Sequence, residues 1–272
     1  MKFEKKRVLI LVKTYPNPSN KSIETVCTAG ITDDGKWIRL YPIPHRFLDG
    51  KSQFKIFDWI EVNAAKRPIS KDRRPESYSV DSESIEIVSR LDSREDIATR
   101  YRIISSLEQK SLETLKRDHE DKGTSLGVIH PKSMTGLSLV KDADDWTEEQ
   151  KNQLNQTSML DKQHTLYPLK KVPYKIFCTF TCNDDNCKGH RISLTSWEYN
   201  WTLLKLLEKN GNDKEKAERE LHNRWMKQFE NKKGYLFLGT INSIDRYGTF
   251  IVIGHCSFPK DVENYGEQLS LL

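Results

Sequence analysis

The hydrophobic pattern of the first ninety residues predicts several short β-strands. Residues 7–12 (RVLILV) form an apolar run that ends at a turn-rich segment, and residues 54–66 and 84–91 contain further β-prone runs. Within residues 24–44, Asp34 and Gly35 separate two such runs, and an Asp-Gly pair in this position is typical of a β-hairpin. Strands this closely spaced predict a small sheet or barrel.

The pattern then becomes helical. Apolar residues recur at broadly helical spacing from Ser93 to about Glu120, and the acidic segment after residue 140 predicts a helix that Thr147 begins. A short strand or turn is expected between them, at residues 124–131. The last hundred residues predict a strand at 172–182, two helices capped by Thr195 and Asp213, and two apolar strands within 235–256.

These elements predict an α+β protein with two domains. The first, residues 1–140, is a basic, β-rich, barrel-like domain with a following helical segment. The second, residues 160–272, is an α+β domain that carries a zinc-knuckle-like turn. The boundary is expected loosely between residues 140 and 168.

Charge is distributed unevenly along the chain. The formal net charge is +5, but residues 1–75 carry 16 Lys or Arg against 8 Asp or Glu, a net +8. Residues 76–160 carry 11 against 17, a net −6. Basic charge is therefore concentrated in the N-terminal segment, where nucleic acid is the expected acidic partner.

Hydropathy and cysteine usage indicate a reduced compartment. No apolar run reaches the roughly 18–20 residues that span a bilayer, and the N-terminal segment has only a short apolar core before Lys13. We expect no signal peptide, no membrane anchor and a cytoplasmic location. Three of the 5 cysteines lie between Cys178 and Cys187, which favours a metal site over a disulfide framework.

Residues 182–190 (CNDDNCKGH) are the clearest chemical motif. Cys182, Cys187 and His190 offer three ligands of the kind that zinc prefers, and their close spacing lowers the entropy cost of assembling a site. Cys178 is a poor fourth ligand, because four residues of extended strand would place it roughly 13 Å from Cys182. His255 or Cys256, at the end of the last strand, is the expected fourth ligand. The alternative without metal is a pair of small buried thiols beside a surface histidine.

A catalytic version of this site is the second interpretation. If water took the fourth position, Glu198 could act as general base in a zinc-dependent hydrolase or nuclease. Glu198 has a simpler predicted role, however, in a capping box with Thr195. The motifs of zinc deaminases and of zincin helices do not occur in the sequence. We therefore favour structural zinc.

An aromatic and basic face is the second candidate site. In an extended segment, Trp37, Arg39 and Tyr41 share one face, and this composition is typical of a platform that stacks bases and neutralises phosphates. Further basic residues could extend the surface: Arg46, Lys55, Lys66, Arg67, Arg73 and Arg74. An ordinary sheet with a solvated basic face is the alternative.

Three functions follow from these observations. The first is nucleic-acid binding, to DNA or RNA, by an accessory or recognition subunit of a partner enzyme. The second is the zinc-dependent hydrolase or nuclease. The third is a protein-interaction module in which the acidic segment 142–149 docks a basic partner.

Overall fold

The computed structural model of the chain describes residues 2–19, 24–158, 168–243 and 246–266. The strands are β1 (Glu4–Lys13), β2 (Asn17–Pro18), β3 (Glu24–Thr32), β4 (Trp37–Ile43), β5 (Asp58–Lys66), β6 (Ser77–Val80), β7 (Glu86–Arg90), β8 (Glu108–Gln109), β9 (Leu126–Ile129), β10 (Ser133–Lys141), β11 (Tyr174–Thr181), β12 (His190–Leu194), β13 (Lys232–Thr240) and β14 (Phe250–Pro259). The helices are α1 (Ile97–Ser106), α2 (Leu112–Lys122), α3 (Glu148–Ser158), α4 (Trp197–Lys209) and α5 (Lys214–Met226).

The first half of the chain forms a closed five-stranded barrel. Its strands follow the order β1-β3-β4-β6-β5, and β5 pairs back onto β1. The hairpin predicted at Asp34 and Gly35 joins β3 to β4, with Gly35 at a positive φ of 76°. Both the α+β class and the barrel-like N-terminal domain predicted from the sequence are confirmed.

The continuous apolar run of β1 reflects burial on both of its faces. Val8 and Ile10 point into the barrel core, whereas Leu9 and Leu11 pack in a second core between the barrel and the other sheet. Strands covered on both faces lose the usual alternation of apolar and polar residues. The barrel is therefore joined to the rest of the protein along an extensive apolar surface.

The second half forms a seven-stranded sheet with helices packed on it. The strand order is β10-β11-β12-β14-β13-β9-β8. Helices α4 and α5 cover this sheet, and α5 contributes the buried residues Ala217, Leu221 and Trp225 to its core. The cap that the sequence predicts for α5 is present, since the Asp213 carboxylate accepts a hydrogen bond from the Lys216 N–H at 3.0 Å.

The second sheet begins earlier in the chain than the sequence analysis places the second domain. Strands β8, β9 and β10 belong to this sheet, although the predicted N-terminal domain extends to residue 140. The helix expected from Ser93 to Glu120 is divided into α1 and α2, because β8 pairs in parallel with β9 and Ser111 caps a new helix. Long-range strand pairing overrides the local helical spacing here.

The helix expected after the acidic segment is α3, and Thr147 caps it. The Thr147 hydroxyl accepts a hydrogen bond from the Gln150 N–H at 3.2 Å, while the Gln150 side chain accepts one from the Thr147 N–H at 3.0 Å. Across the described residues, none of the helices combines the length and the apolar character needed to cross a bilayer.

Candidate metal centre and adjoining cleft

The motif at residues 182–190 forms the turn between the antiparallel strands β11 and β12. The Asp184 carbonyl accepts a hydrogen bond from the Cys187 N–H at 3.0 Å, and the Cys182 N–H donates to the Cys187 sulfur at 3.2 Å. Gly189 has a φ of 88°, a conformation that favours glycine. The local chain path thus turns both sulfurs and the His190 ring toward the same point.

Helix α2 brings its N-terminal turn against this motif. Ser111 caps the helix by accepting a hydrogen bond from the Thr114 N–H at 3.0 Å, and its hydroxyl donates to the Asp184 carboxylate at 3.1 Å. The Leu112 N–H donates to the Cys182 sulfur at 3.4 Å. These contacts place Glu113, the next residue of the helix, beside the two cysteines.

Four side chains converge here: Glu113, Cys182, Cys187 and His190. One donor atom from each lies within 4.8 Å of all the others. The His190 Nε2 atom is 2.9 Å from the Glu113 carboxylate and 3.3 Å from the Cys187 sulfur. The other carboxylate oxygen of Glu113 is buried without a hydrogen-bond partner. A buried oxygen with no partner is costly, and a cation at this point would satisfy it.

The electrostatics of the group also suit a cation. Burial raises the pKa of the Cys182 thiol to about 12, and the charges of Glu113 and Cys187 add to this effect against the opposing Leu112 N–H. Burial lowers the pKa of His190, with Glu113 acting in the opposite direction, which favours the neutral imidazole that metals bind. A divalent ion would offset both the burial of the thiol and its repulsion by the carboxylate.

The donor set fits zinc. Thiolate, imidazole and carboxylate are the three ligand types that proteins offer to zinc, at bond lengths of about 2.0–2.3 Å. A tetrahedron of such bonds separates neighbouring donors by roughly 3.3–3.8 Å. The donor atoms here are 2.9 Å (Glu113 and His190) to at most 4.8 Å apart, a spread that includes this range. Thiolates also disfavour magnesium and calcium, which prefer oxygen ligands.

The fourth member of the group is Glu113, not His255 or Cys256 as the sequence analysis expects. Strands β12 and β14 run in parallel, with Leu194 opposite Val252, so His190 lies level with about residue 248. His255 is then some seven residues, roughly 20 Å, further along β14. Its ring packs 5.0 Å from Tyr199 and 5.2 Å from Trp225, and burial lowers its pKa to about 4.

Cys256 and Cys178 also lie apart from the group. Cys256 packs against the core between the barrel and the second sheet, where burial raises its pKa. Cys178 is completely buried on β11, in line with the strand spacing that excludes it as a ligand.

Glu198 is not a member of the group either. It is exposed on the first turn of α4, whose cap is Ser196 and not Thr195. The Ser196 hydroxyl accepts a hydrogen bond from the Tyr199 N–H at 3.4 Å. Thr195 instead continues the sheet, since its N–H donates to the Val252 carbonyl at 2.9 Å. The cap is therefore one residue later than predicted, and the predicted capping box with Glu198 does not form.

A cleft of about 1440 Å³ adjoins the metal centre. Its lining includes β12, part of β11 and residues 246–251, and α2 contributes Lys116, His119 and Glu120. Within the described residues, β12 and β14 pair at Leu194 and Val252, and the cleft lies beside the parts of the two segments that precede this pair. His190 belongs both to the metal group and to the lining of this β12–β14 cleft.

The aromatic and basic face predicted on β4 is mostly an internal surface. Arg39 is only 2% exposed, and its guanidinium donates to the Ser125 carbonyl at 3.1 Å and to the Cys27 sulfur at 3.2 Å. The half-buried Trp37 ring meets Phe237 edge-on at 6.4 Å. The second sheet covers this face of the barrel, so the prediction of an exposed platform at Trp37 and Arg39 is corrected.

Arg74 is likewise internal. It forms a two-pronged ion pair with Asp72, at 2.9 and 2.7 Å, and donates to the Thr240 carbonyl at 2.9 Å. Arg46 reaches the buried carboxylate of Glu24 at 3.4 Å. Neither guanidinium is placed to receive a phosphate unless these contacts break.

The other predicted residues of this surface stay accessible to different degrees. Lys66 and Arg73 are exposed, whereas Tyr41 and Arg67 are half-buried and face each other, with the guanidinium 5.4 Å from the ring centre. The Arg73 guanidinium lies 5.8 Å from the ring of Tyr247, which lines the β12–β14 cleft. The loop between β5 and β6 (residues 67–76, the basic loop) therefore adjoins the cleft through Arg73.

The acidic segment predicted as a docking site has partners within the chain. Asp142 pairs with Lys171 at 2.8 Å, Asp145 pairs with Lys151 at 2.9 Å, and Asp144 pairs with Lys141. These contacts neutralise much of the charge on which the interaction-module hypothesis depends.

The fold and site define an α+β protein with a four-donor candidate metal centre at one end of an open cleft. The chain belongs to a family described as a domain of unknown function (DUF8757), which matches residues 108–271. A second domain of unknown function (DUF8758) matches residues 4–106. The two matched segments meet where the second sheet begins at Glu108. A search of curated proteins gives no match.

Proposed function

We propose that the chain is a nucleic-acid-binding protein whose second sheet is stabilised by a structural zinc ion. The observation that carries the proposal is the β12–β14 cleft, which runs from the candidate metal centre to the exposed basic loop of the barrel. The contact between Arg73 of that loop and Tyr247 of the cleft brings the loop and the cleft together.

The charges of the cleft support an anionic ligand. Five basic residues line it, Lys116, Lys171, Lys175, Arg191 and Arg246, against the acidic residues Glu120 and Asp142. Asp142 is already paired with Lys171 and Lys175, at 2.8 and 3.5 Å. The remaining charge of the cleft is positive. It lies on α2, on β12 and at residue 246, where a phosphate backbone could contact these basic side chains from several sides.

The zinc ion would serve this cleft as a structural element. Glu113, Cys182, Cys187 and His190 would supply all four ligands, and a site without an open position is typical of structural zinc. Such an ion would join the first turn of α2 to the start of β12. Both elements carry cleft residues, so the metal would fix the separation of two of the walls.

Charge reversal tests nucleic-acid binding. The variant combines Arg73→Glu, Lys116→Glu and Arg246→Glu, and the matched control combines Lys51→Glu, Arg94→Glu and Arg219→Glu, three exposed positions outside the cleft. Fluorescence anisotropy with labelled oligonucleotides at about 50 and 200 mM salt measures affinity and its salt dependence. We expect the cleft variant to bind at least about tenfold more weakly and to lower the salt slope by about three, roughly one per lost phosphate contact. Equal binding by the two variants would refute the proposal.

Elemental analysis tests the zinc. We expect one zinc per chain in the wild type and in Cys256→Ala, and a loss of zinc in Cys187→Ser and Glu113→Ala. Zinc retained in Glu113→Ala but lost in Cys256→Ala would show that the fourth ligand is Cys256, as the sequence predicts, and not Glu113. A metal-free wild type, purified without chelator, would remove the zinc from the proposal.

A further inference from the structure

One turn at the mouth of the β12–β14 cleft presents an aromatic ring to solvent. Residues 246–249 form a β-turn, in which the Thr249 N–H donates to the Arg246 carbonyl at 3.1 Å. Gly248 has a φ of 77°, as the third residue of a type II turn requires, and Tyr247 precedes it. The Tyr247 side chain is 43% exposed, an unusual value for a large ring in this protein.

The ring of Tyr247 packs against a fixed aromatic cluster. The His119 ring lies 5.0 Å from it at a tilt of 52°, and Phe250 meets the His119 ring edge-on at 6.0 Å. The His119 Nδ1 atom forms a hydrogen bond of 2.9 Å with the Thr124 carbonyl, which fixes the ring. A Cβ atom at Gly248 would come within 2.9 Å of His119, so the turn can approach the His119 ring this closely only with glycine.

One cation lies against this ring, and two more line the same cleft. Arg73 lies 5.8 Å from its centre, while Arg246 and Lys116 line the same cleft. A planar aromatic surface among positive charges is the arrangement that binds nucleic-acid bases by stacking while the cations contact the adjacent phosphates.

The edge of β12 that faces β14 also lines the cleft. The Thr195 N–H points toward β14, where it bonds to the Val252 carbonyl. Because backbone groups alternate in direction along a strand, those of Arg191 point the same way, beyond the pairing of Leu194 with Val252. Backbone groups at such a strand edge can bond to the edges of bases that are not paired with a complementary strand.

We propose that Tyr247 stacks an unpaired base and that the nucleic acid bound in the cleft is therefore single-stranded. This inference rests on the proposed function and specifies its ligand. A duplex keeps the faces of its bases within its own stack, so it can supply phosphates to the cations but no free base to Tyr247.

Substitution of the ring tests the inference. Tyr247→Leu removes the aromatic face, Tyr247→Phe retains it, and Trp201→Leu is the control at another exposed ring, 46% exposed on α4 and outside the cleft. The probes are a labelled single-stranded oligonucleotide and its duplex, measured by anisotropy. A second readout is the fluorescence of 2-aminopurine in the single strand, which stacking on an aromatic ring quenches.

The expected results separate stacking from charge. The wild type binds the single strand more tightly than the duplex, and Tyr247→Leu weakens single-strand binding about tenfold and restores 2-aminopurine fluorescence without changing the salt slope. Tyr247→Phe and Trp201→Leu bind as the wild type does. If Tyr247→Leu binds normally while charge reversal weakens binding, stacking is refuted and the proposed function stands. Duplex binding as tight as single-strand binding refutes the inference as well, and absence of all binding refutes both proposals.

Discussion

Arg73 and Arg74 are neighbours in the chain but lie in two very different regions of the molecule. Arg73 is exposed at the mouth of the cleft, where its guanidinium faces the Tyr247 ring. Arg74 is buried between the barrel and the second sheet, where it binds Asp72 and the carbonyl of Thr240. Identical side chains thus have opposite roles, since the first is available to a ligand and the second joins two parts of the protein.

In the buried region, charged side chains form hydrogen bonds with backbone groups. Arg39 donates to the Ser125 carbonyl, and the Glu76 carboxylate accepts hydrogen bonds from both the N–H and the hydroxyl of Ser125, at 2.9 and 2.6 Å. In the cleft, by contrast, Tyr247 and the cations around it lie at the surface. Positive charge in a sequence therefore indicates a binding surface only where the fold leaves that charge uncovered.

The largest expected effect comes from breaking the buried ion pair. Arg74→Met leaves the Asp72 carboxylate, 1% exposed, without its guanidinium, and the Thr240 carbonyl without its donor. Removing one partner of a buried pair costs roughly 3–5 kcal/mol of unfolding free energy. Urea denaturation measures this loss.

Arg73→Met, at the exposed neighbouring position, is the control for that prediction. We expect a stability change within about 0.5 kcal/mol, because the side chain is exposed, together with weaker nucleic-acid binding. Adding Asp72→Asn to Arg74→Met should recover part of the lost stability by removing the unpaired charge. Equal destabilisation by Arg73→Met and Arg74→Met would contradict the contrast between the two regions.

Zinc should have the next largest effect on stability. At a free zinc concentration about 100-fold above Kd, binding to the folded state alone stabilises the protein by about 3 kcal/mol. We expect chelation to remove this contribution from the wild type and from Cys256→Ala, and to have no effect on Cys187→Ser. Urea denaturation with and without chelator provides the measurement, and an unchanged wild-type midpoint would argue against a bound structural metal.

Local sequence patterns predict much of the fold because several elements have local causes. The Asp-Gly hairpin and the caps of α3 and α5 at Thr147 and Asp213 depend on residues within four positions of each other. The division between α1 and α2 does not, since it depends on the pairing of β8 with β9, about twenty residues away. Periodicity alone cannot detect such a pairing, and it also gives no signal for the pairing of β10 with β11.

The candidate metal centre likewise contains residues that local patterns predict and one residue that they do not. Cys182, Cys187 and His190 are adjacent in one turn, and their residue types and spacing identify them. Glu113 lies about seventy residues earlier and is one of many acidic residues on helices, so no local pattern distinguishes it. The parallel register of β12 and β14 places the end of the last strand far from His190, and strand direction is not encoded in the hydrophobic pattern of either strand.

A third prediction concerns another charge that the barrel has internalised. Burial raises the pKa of Glu24, 1% exposed, to about 7, against the opposing attraction of Arg46. The unfolded chain releases this proton near pH 4.3 and the folded chain near pH 7, so stability falls as pH rises through this window and levels off above it. Between about pH 5 and pH 8 the loss due to Glu24 is about 2.5 kcal/mol.

Glu24→Gln isolates this contribution. The difference in unfolding free energy between the variant and the wild type should grow from pH 5 to pH 8 in favour of the variant, as urea denaturation at each pH would show. Glu83→Gln, at an exposed position of the barrel, is the matched control. A pH-independent difference for Glu24→Gln would show that its carboxyl group titrates normally in the folded protein.

The smallest expected effects concern the first turn of α4. They test whether Ser196 and Glu198 serve only the stability of the helix or whether Glu198 also takes part in catalysis. Ser196→Ala removes the cap that accepts the Tyr199 N–H and should cost about 1 kcal/mol of unfolding free energy. Glu198→Gln, at an exposed position outside the metal group, should change stability by less than about 0.5 kcal/mol and leave the zinc content unchanged. The same preparations can be assayed for cleavage of single-stranded oligonucleotides. Cleavage that the zinc-loaded wild type performs and Glu198→Gln loses, at equal zinc content, would favour the hydrolase over a purely structural metal.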